Sequence, residues 1–373
     1  MADVLETSPW GDEWQTTPAN RQAYQRIDEV LATAVVPRGD GPVLELTPGR
    51  ELDVPGLDAE LEALRTDGLI VVRGREILLE RYLNGMTPAT RHLLQSVTKS
   101  LCAAVVGRFV DRGEVDPGGA VGDYVPELRG SAYGDATVQQ TLDMAVAVAY
   151  DETYDDLASD VNTHDRVSGW KHRRDGDPDG IEAFLATLAP SGEHGRTWFY
   201  ASSNTDVLAW VLERVSGRPF HQLLSTELWS RIGAEHDALM TVDAHGFSLA
   251  SGGGCVTLRD LARFGRVLLD GGVGPTGEQV IPADWVEEML RGADPGLDVS
   301  EMGSVLADPS YRNQFWHTGD EHGCAFGIGI FGQFVWVNPA TDTVVAKLST
   351  LDAADAEEPF AAHVALLDRL SRS

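Results

Sequence analysis

Cysteine is almost missing from this chain. Three in 373 residues, Cys102, Cys255 and Cys324, are too few and too scattered for a disulfide framework, and without a Cys-x-x-Cys pair they read as buried free thiols. Lysine is equally rare, at Lys99, Lys171 and Lys347, and basic residues number 29 against 58 acids, for a formal net charge of −29. Such a field repels phosphate backbones and anionic lipid, which excludes nucleic acid and membrane surfaces as partners. The acids are spread without long single-sign blocks, as on a solvated surface. No apolar run approaches the roughly 20 residues that span a bilayer; Leu101 to Val106 is typical of those present. The first residues, Met1-Ala2-Asp3-Val4-Leu5-Glu6, place acids where a signal peptide carries positive charge, so a cytoplasmic location is expected. Also missing are Gly-x-Ser-x-Gly, His-Glu-x-x-His, a third ligand to join His317 and His322, and a Gly-Lys-Ser/Thr after the glycines at 252 and 271. No metal or cofactor is expected.

What is present has an order. Residues 1–60 show little periodicity beyond an amphipathic stretch from Arg21 to Leu31, and read as a segment that wraps the surface. The β-rich runs Leu69–Val72 and Ile77–Tyr82 flank Arg73-Gly74-Arg75-Glu76 as a hairpin. From Thr98 to Arg112, apolar residues recur at helical spacing up to a stop at Gly113. The stretch 114–260 reads as helix-rich, with helices over Thr137–Met144, Gly180–Leu188, Thr205–Ser216 and Phe220–Ile232. Leu258–Leu269 is amphipathic, Phe334–Val337 and Val344–Leu348 form a second hairpin, and Pro359–Leu370 a closing helix. Strands at both ends must share one sheet. The predicted architecture is therefore α+β: residues 61–113 and 261–373 form a lobe built on an antiparallel sheet, and 114–260 pack as a mostly helical lobe beside it. A ligand cleft is expected between them.

Ser96-Val97-Thr98-Lys99 opens the apolar helix, and a spacing of three puts the hydroxyl and the amine on one helical face. A lysine serving a serine as base must be neutral part of the time, which burial or nearby positive charge would allow. Ser168-Gly169-Trp170-Lys171 matches the same letters but lies in a Gly- and charge-rich stretch with no helix following. Tyr200-Ala201-Ser202 follows β-prone Trp198-Phe199. A tyrosine beside a lysine and a serine can pass a proton to a leaving group, its phenolate favoured by the neighbouring cation.

Ser96-x-x-Lys99, then Tyr200-Ala201-Ser202, then Gly329-Ile330-Phe331-Gly332-Gln333 before a terminal hairpin resembles the motif order of class C β-lactamases and related esterases. Asp123-Tyr124-Val125-Pro126, Thr141-Leu142-Asp143-Met144 and Gly252-Gly253-Gly254 agree, so the likeness covers roughly 65 to 350. Within that superfamily the chain is similar to the 6-aminohexanoate-dimer hydrolases, through Leu93–Cys102, Thr163-His164-Asp165-Arg166 and Ser203–Trp210. The resemblance implies a β-lactamase-like fold and an acyl-enzyme mechanism. In it Ser96 is the nucleophile, Lys99 its base and Tyr200 the proton shuttle, with the backbone N–H groups of Ser96 and Ile330 as the oxyanion hole. It further implies that Tyr154 meets the amide, that Asp165 meets a substrate ammonium, and that Ser251 lies beside the substrate. The implied partner is a small linear amide or ester; a homodimer is possible.

Two departures narrow this expectation. Ser251 stands where the dimer hydrolases carry Asn, and Ile330 stands where β-lactamases carry Lys-Thr-Gly or many esterases His, which disfavours penicillins. His317-Thr318-Gly319 mimics that motif too far before the hairpin and is set aside. The sequence leaves open a pure short-chain carboxylesterase, and a non-catalytic ligand-binding protein on the same scaffold.

Overall fold

A computed structural model describes residues 4–292, 297, 299, 305–354 and 357–373. The strands, in chain order, are β1 (Thr33–Val36), β2 (Thr47–Pro48), β3 (Thr66–Arg73), β4 (Glu76–Tyr82), β5 (Arg91–Leu93), β6 (Ala238–Thr241), β7 (Gly254–Thr257), β8 (Ser310–Arg312), β9 (Phe315–His317), β10 (Ala325–Gly329), β11 (Gln333–Asn338) and β12 (Thr343–Ser349). Eight of them form one sheet in the order β2-β4-β3-β12-β11-β10-β9-β8. Both expected hairpins are in it, and β3 pairs antiparallel with β12, joining the two ends of the chain.

The central strands are buried on both faces, and their side chains divide between two cores with the period of two that a pleated strand dictates. Ile70, Val72, Val335, Val337, Val344 and Ala346 belong to one core. Leu69, Val71, Phe334, Trp336 and Val345 belong to the other, where Leu366, Leu367 and Leu370 of the closing helix cover them. On the first face lie the helices Val97–Asp111 and Leu258–Leu269. Helix Val97–Asp111 is apolar nearly all round, as a helix enclosed by protein must be, and at Gly107 it approaches Trp285 so closely that an added Cβ would lie 2.4 Å from the indole. The expected helices within 114–260 are present, three of them shorter than expected and the fourth, Ser203–Ser216, two residues longer. Thr137 caps Val138–Leu142 in a reciprocal capping box with Gln140, and beyond Phe220–Leu223 the chain widens into a π-helical turn over Leu224–Trp229.

Two features differ from the sequence reading. A second sheet, β1-β6-β7-β5, takes β6 and β7 from inside the helix-rich stretch and β1 and β5 from outside it. These strands are three or four residues long and mostly buried, so no alternation marks them. The N-terminal segment also does more than wrap the surface: Trp14 and Tyr24 are fully buried, packed edge-on or tilted against Trp170, His92 and Phe331. Large aromatic faces leave water readily, and here they tie residues 10–31 into the joint between the sheet and the helices.

Candidate active site

Ser96 sits between β5 and helix Val97–Asp111 on a tight reversal. Leu94 N–H bonds the Gly254 carbonyl on one side, and Gln95 is forced to φ +49°, a strained conformation for a residue with a side chain. Gln95 is held there by its amide on the Tyr24 hydroxyl at 2.7 Å and by Thr98 Oγ1 donating 2.7 Å to its carbonyl. The strain turns the Ser96 hydroxyl out of the buried helix.

One helical turn on, Lys99 Nζ donates to Ser96 Oγ at 2.8 Å, to the Ser251 carbonyl at 2.7 Å and to Ser202 Oγ at 3.2 Å. The amine is fully buried, and burial brings its pKa down to about 8, while the carboxylates of Glu152 and Asp206 pull the other way. Desolvation therefore supplies the neutral fraction, as the sequence reading required, though through burial and against local negative charge. Tyr200 stands on the other side of Ser96, its ring 5.2 Å from Lys99 Nζ and stacked on Trp316. Its phenol lies well above the ordinary tyrosine range: burial and the charge of Glu152 raise it, and only its hydrogen bond with Ser96 lowers it. The expected phenolate is thus not what this environment favours. Desolvation outweighs the neighbouring amine, and Tyr200 is held as a proton donor.

The turn after β10 brings the third motif to the same point. At Gly329 an added Cβ would lie 2.4 Å from the Leu94 carbonyl and 3.0 Å from Ser96 N, so only glycine lets the strand end lie against the backbone of Ser96. Phe331 (φ +62°) packs on Tyr24 and Gln333 Nε2 donates to the Ile330 carbonyl at 3.2 Å, fixing the turn. Among the described residues neither the Ser96 nor the Ile330 backbone N–H has a protein acceptor. Two such donors facing one cavity suit an anionic oxygen.

Sequence reasoning overlooked Glu152. Its carboxylate accepts from Ser202 Oγ at 2.6 Å, from Ser202 N at 2.9 Å and from the Tyr154 hydroxyl at 2.8 Å, which ties the second motif to Lys99 through Ser202. The sequence hints only that the third residue of that motif, a serine, needs a partner for its hydroxyl; nothing in the acid-rich stretch around Tyr154 marks which acid supplies it. Asp206 was also overlooked: it accepts from Ser251 N at 3.0 Å and so anchors the carbonyl that holds Lys99, while its other oxygen lies 3.2 Å from His164 Nε2.

Around Ser96 the cleft divides. Ser96, Tyr154 and Ile330 border both compartments. One, of about 40 Å³, is closed by Gln15, Asp165, Trp170 and Ser251. The other, of about 720 Å³, carries Tyr200 and Glu152. Tyr154, Asp165 and Ser251 are thus all brought to the serine, but Asp165 is not free: Lys171 Nζ lies 3.0 Å from its carboxylate and Gln15 Nε2 donates to it at 3.3 Å. Lys171, from the second Ser-x-x-Lys match, pairs with Asp165 and Asn162, whereas Ser168 Oγ turns to the Asp165 carbonyl. His317 lies in β9, its Nε2 2.8 Å from the Met289 carbonyl, and borders neither compartment.

A conserved-family model described as Beta-lactamase matches residues 57–369. The chain belongs to the beta-lactamase family. It is a serine hydrolase acting on amide or ester bonds, on the β-lactamase-like fold. It is 47% identical over 348 residues to a 6-aminohexanoate-dimer hydrolase of Paenarthrobacter ureafaciens, covering 92% of this chain and 88% of that one. Its fold matches that of a Bacillus anthracis protein assigned provisionally to the 6-aminohexanoate-dimer hydrolases, with TM-score 0.88, 24% identity and 98% of each chain covered. It also matches that of a family VIII carboxylesterase, with TM-score 0.62, 17% identity, and 86% of this chain and 99% of the other covered.

Proposed function

We propose that this beta-lactamase-family enzyme cleaves short linear amides of the 6-aminohexanoate-dimer type, and simple carboxylic esters, through an acyl group carried on Ser96. The observation that carries this reading is the 2.8 Å contact between Lys99 Nζ and Ser96 Oγ, with the Tyr200 ring 5.2 Å from the same amine and lining the same chamber as Ser96. Ser96 Oγ attacks the carbonyl carbon as its proton moves to neutral Lys99. The carbonyl oxygen, now negative, is met by the N–H groups of Ser96 and Ile330. As the C–N or C–O bond breaks, Tyr200 gives its proton to the departing nitrogen or oxygen and is resupplied from Lys99. Water then attacks the acyl-enzyme, its proton returning through Tyr200 and Lys99 to Ser96 as the acid leaves.

Tyr154, at the mouth of both compartments, orients the amide, and Ser251 works through its carbonyl, which holds Lys99, rather than through its side chain. Three buried free thiols support a reducing, cytoplasmic setting. A second reading, an esterase that gains nothing from Asp165, is favoured by one observation: the Asp165 carboxylate is already neutralised by Lys171. Parallel assays on the linear 6-aminohexanoate dimer and p-nitrophenyl acetate decide between them. Turnover of both supports the first reading, and turnover of the ester alone supports the second.

A further inference from the structure

The two compartments are unequal in a way that assigns the halves of the substrate. Tyr200, the group aimed at the leaving atom, borders only the large compartment, and Asp165 borders only the small one. With the carbonyl oxygen held at the N–H groups of Ser96 and Ile330, the departing half must therefore extend into the large chamber and the acyl half into the small one. The small side, at about 40 Å³, is the tighter of the two. The large side, at about 720 Å³, is the size of a site for a drug-like ligand.

Its walls say what that ligand is. Trp198, Trp316, Phe334 and Phe360 give it flat apolar faces, which suit an aromatic or aliphatic body and attract a cation over the ring. Its charged rim is acidic, from Glu152, Asp155 and Glu357, and no lysine or arginine is among the described residues that line it. The one described residue of the lining that can carry positive charge is His363, whose burial and the neighbouring Lys347 hold its pKa well below the ordinary histidine value. Lys347 lies behind the wall, fully buried, with its amine bonded to Ser349 and to His363 Nε2. A net charge of −29 adds a long-range field of the same sign.

We propose that the chamber on the Tyr200 side is the leaving-group site, and that it selects amines and alcohols with a bulky apolar or aromatic body and a neutral or cationic end, against those ending in a carboxylate. This rests on the acyl-enzyme reading above and goes beyond it, because the 6-aminohexanoate released from a linear dimer ends in a carboxylate.

The test compares the linear 6-aminohexanoate dimer with the same dimer capped as its C-terminal methylamide, which removes the charge from the departing half; the salt dependence separates that charge from the small change in size. Cleavage of the internal amide is followed by chromatography at low and high salt, with p-nitrophenyl acetate as the reference substrate. The capped dimer is expected to show about tenfold higher kcat/KM at low salt, with the ratio shrinking as salt screens the acidic rim. Equal or better turnover of the free acid at low salt, or a ratio indifferent to salt, overturns the proposal while leaving the acyl-enzyme reading intact. Failure to hydrolyse even p-nitrophenyl acetate overturns both.

Discussion

At Lys99 two opposed effects meet, and the larger one sets the chemistry. Burial lowers the amine and two carboxylates raise it; burial wins, leaving it at about 8. The base works only when neutral, so kcat/KM should climb tenfold per pH unit below that value and level off above it. A pH–rate profile checks this, and a flat profile between pH 6 and 8 would remove Lys99 from the role. Tyr200 adds a sharper test. Its phenol is held protonated, so its work is donation to the leaving atom, which an amine needs and p-nitrophenolate does not. Tyr200→Phe should cut amide turnover by roughly a hundredfold and acylation by p-nitrophenyl acetate far less, read by single-turnover kinetics on both substrates. These two residues, with Ser96, were legible because each lies in a short motif whose spacing has a chemical reason. Glu152 and Asp206 were not, because a lone acid in an acid-rich chain carries no spacing. Their importance arises only from where a distant serine and a distant amide N–H are folded against them.

At the level of elements, the site depends on how closely β10 can lie against the turn before helix Val97–Asp111. Gly329→Ala would place its methyl 2.4 Å from the Leu94 carbonyl, pushing Ile330 N away from the oxyanion position. The expected result is a protein that folds normally by circular dichroism and loses on the order of a hundredfold in kcat, the usual cost of one misplaced oxyanion donor. Unchanged kcat would mean that the turn does not supply the donor. The hairpins, the helix after Ser96 and the closing helix were readable because their periodicity is set by one buried face or by continuous burial. The four short strands of the second sheet were not: three or four residues, fully buried in β6 and β7 and only partly so in β1 and β5, are too few to show a period.

Across the whole molecule, the N-terminal segment is a structural member. Trp14 is fully buried, bonded through its indole N–H to the Trp170 carbonyl at 2.8 Å, and the next residue, Gln15, closes the small compartment beside Asp165. Trp14→Ala should cost about 3–5 kcal/mol of stability by chemical denaturation, and should also weaken discrimination by acyl length in a series of p-nitrophenyl esters. No single window of sequence announced this role, since Trp170 and His92, against which Trp14 and Tyr24 pack, lie more than sixty residues away along the chain. The fold class and the order of the motifs were legible from end to end, whereas the division of the cleft into a small and a large side was a product of folding alone.

The most direct measurement on the central claim is hydrolysis of p-nitrophenyl acetate and of the linear 6-aminohexanoate dimer by the wild-type enzyme and by Ser96→Ala. The acyl-enzyme account predicts that the wild type turns over both and that the substitution abolishes both. Ester turnover that survives Ser96→Ala would contradict it, because the nucleophile would then lie elsewhere.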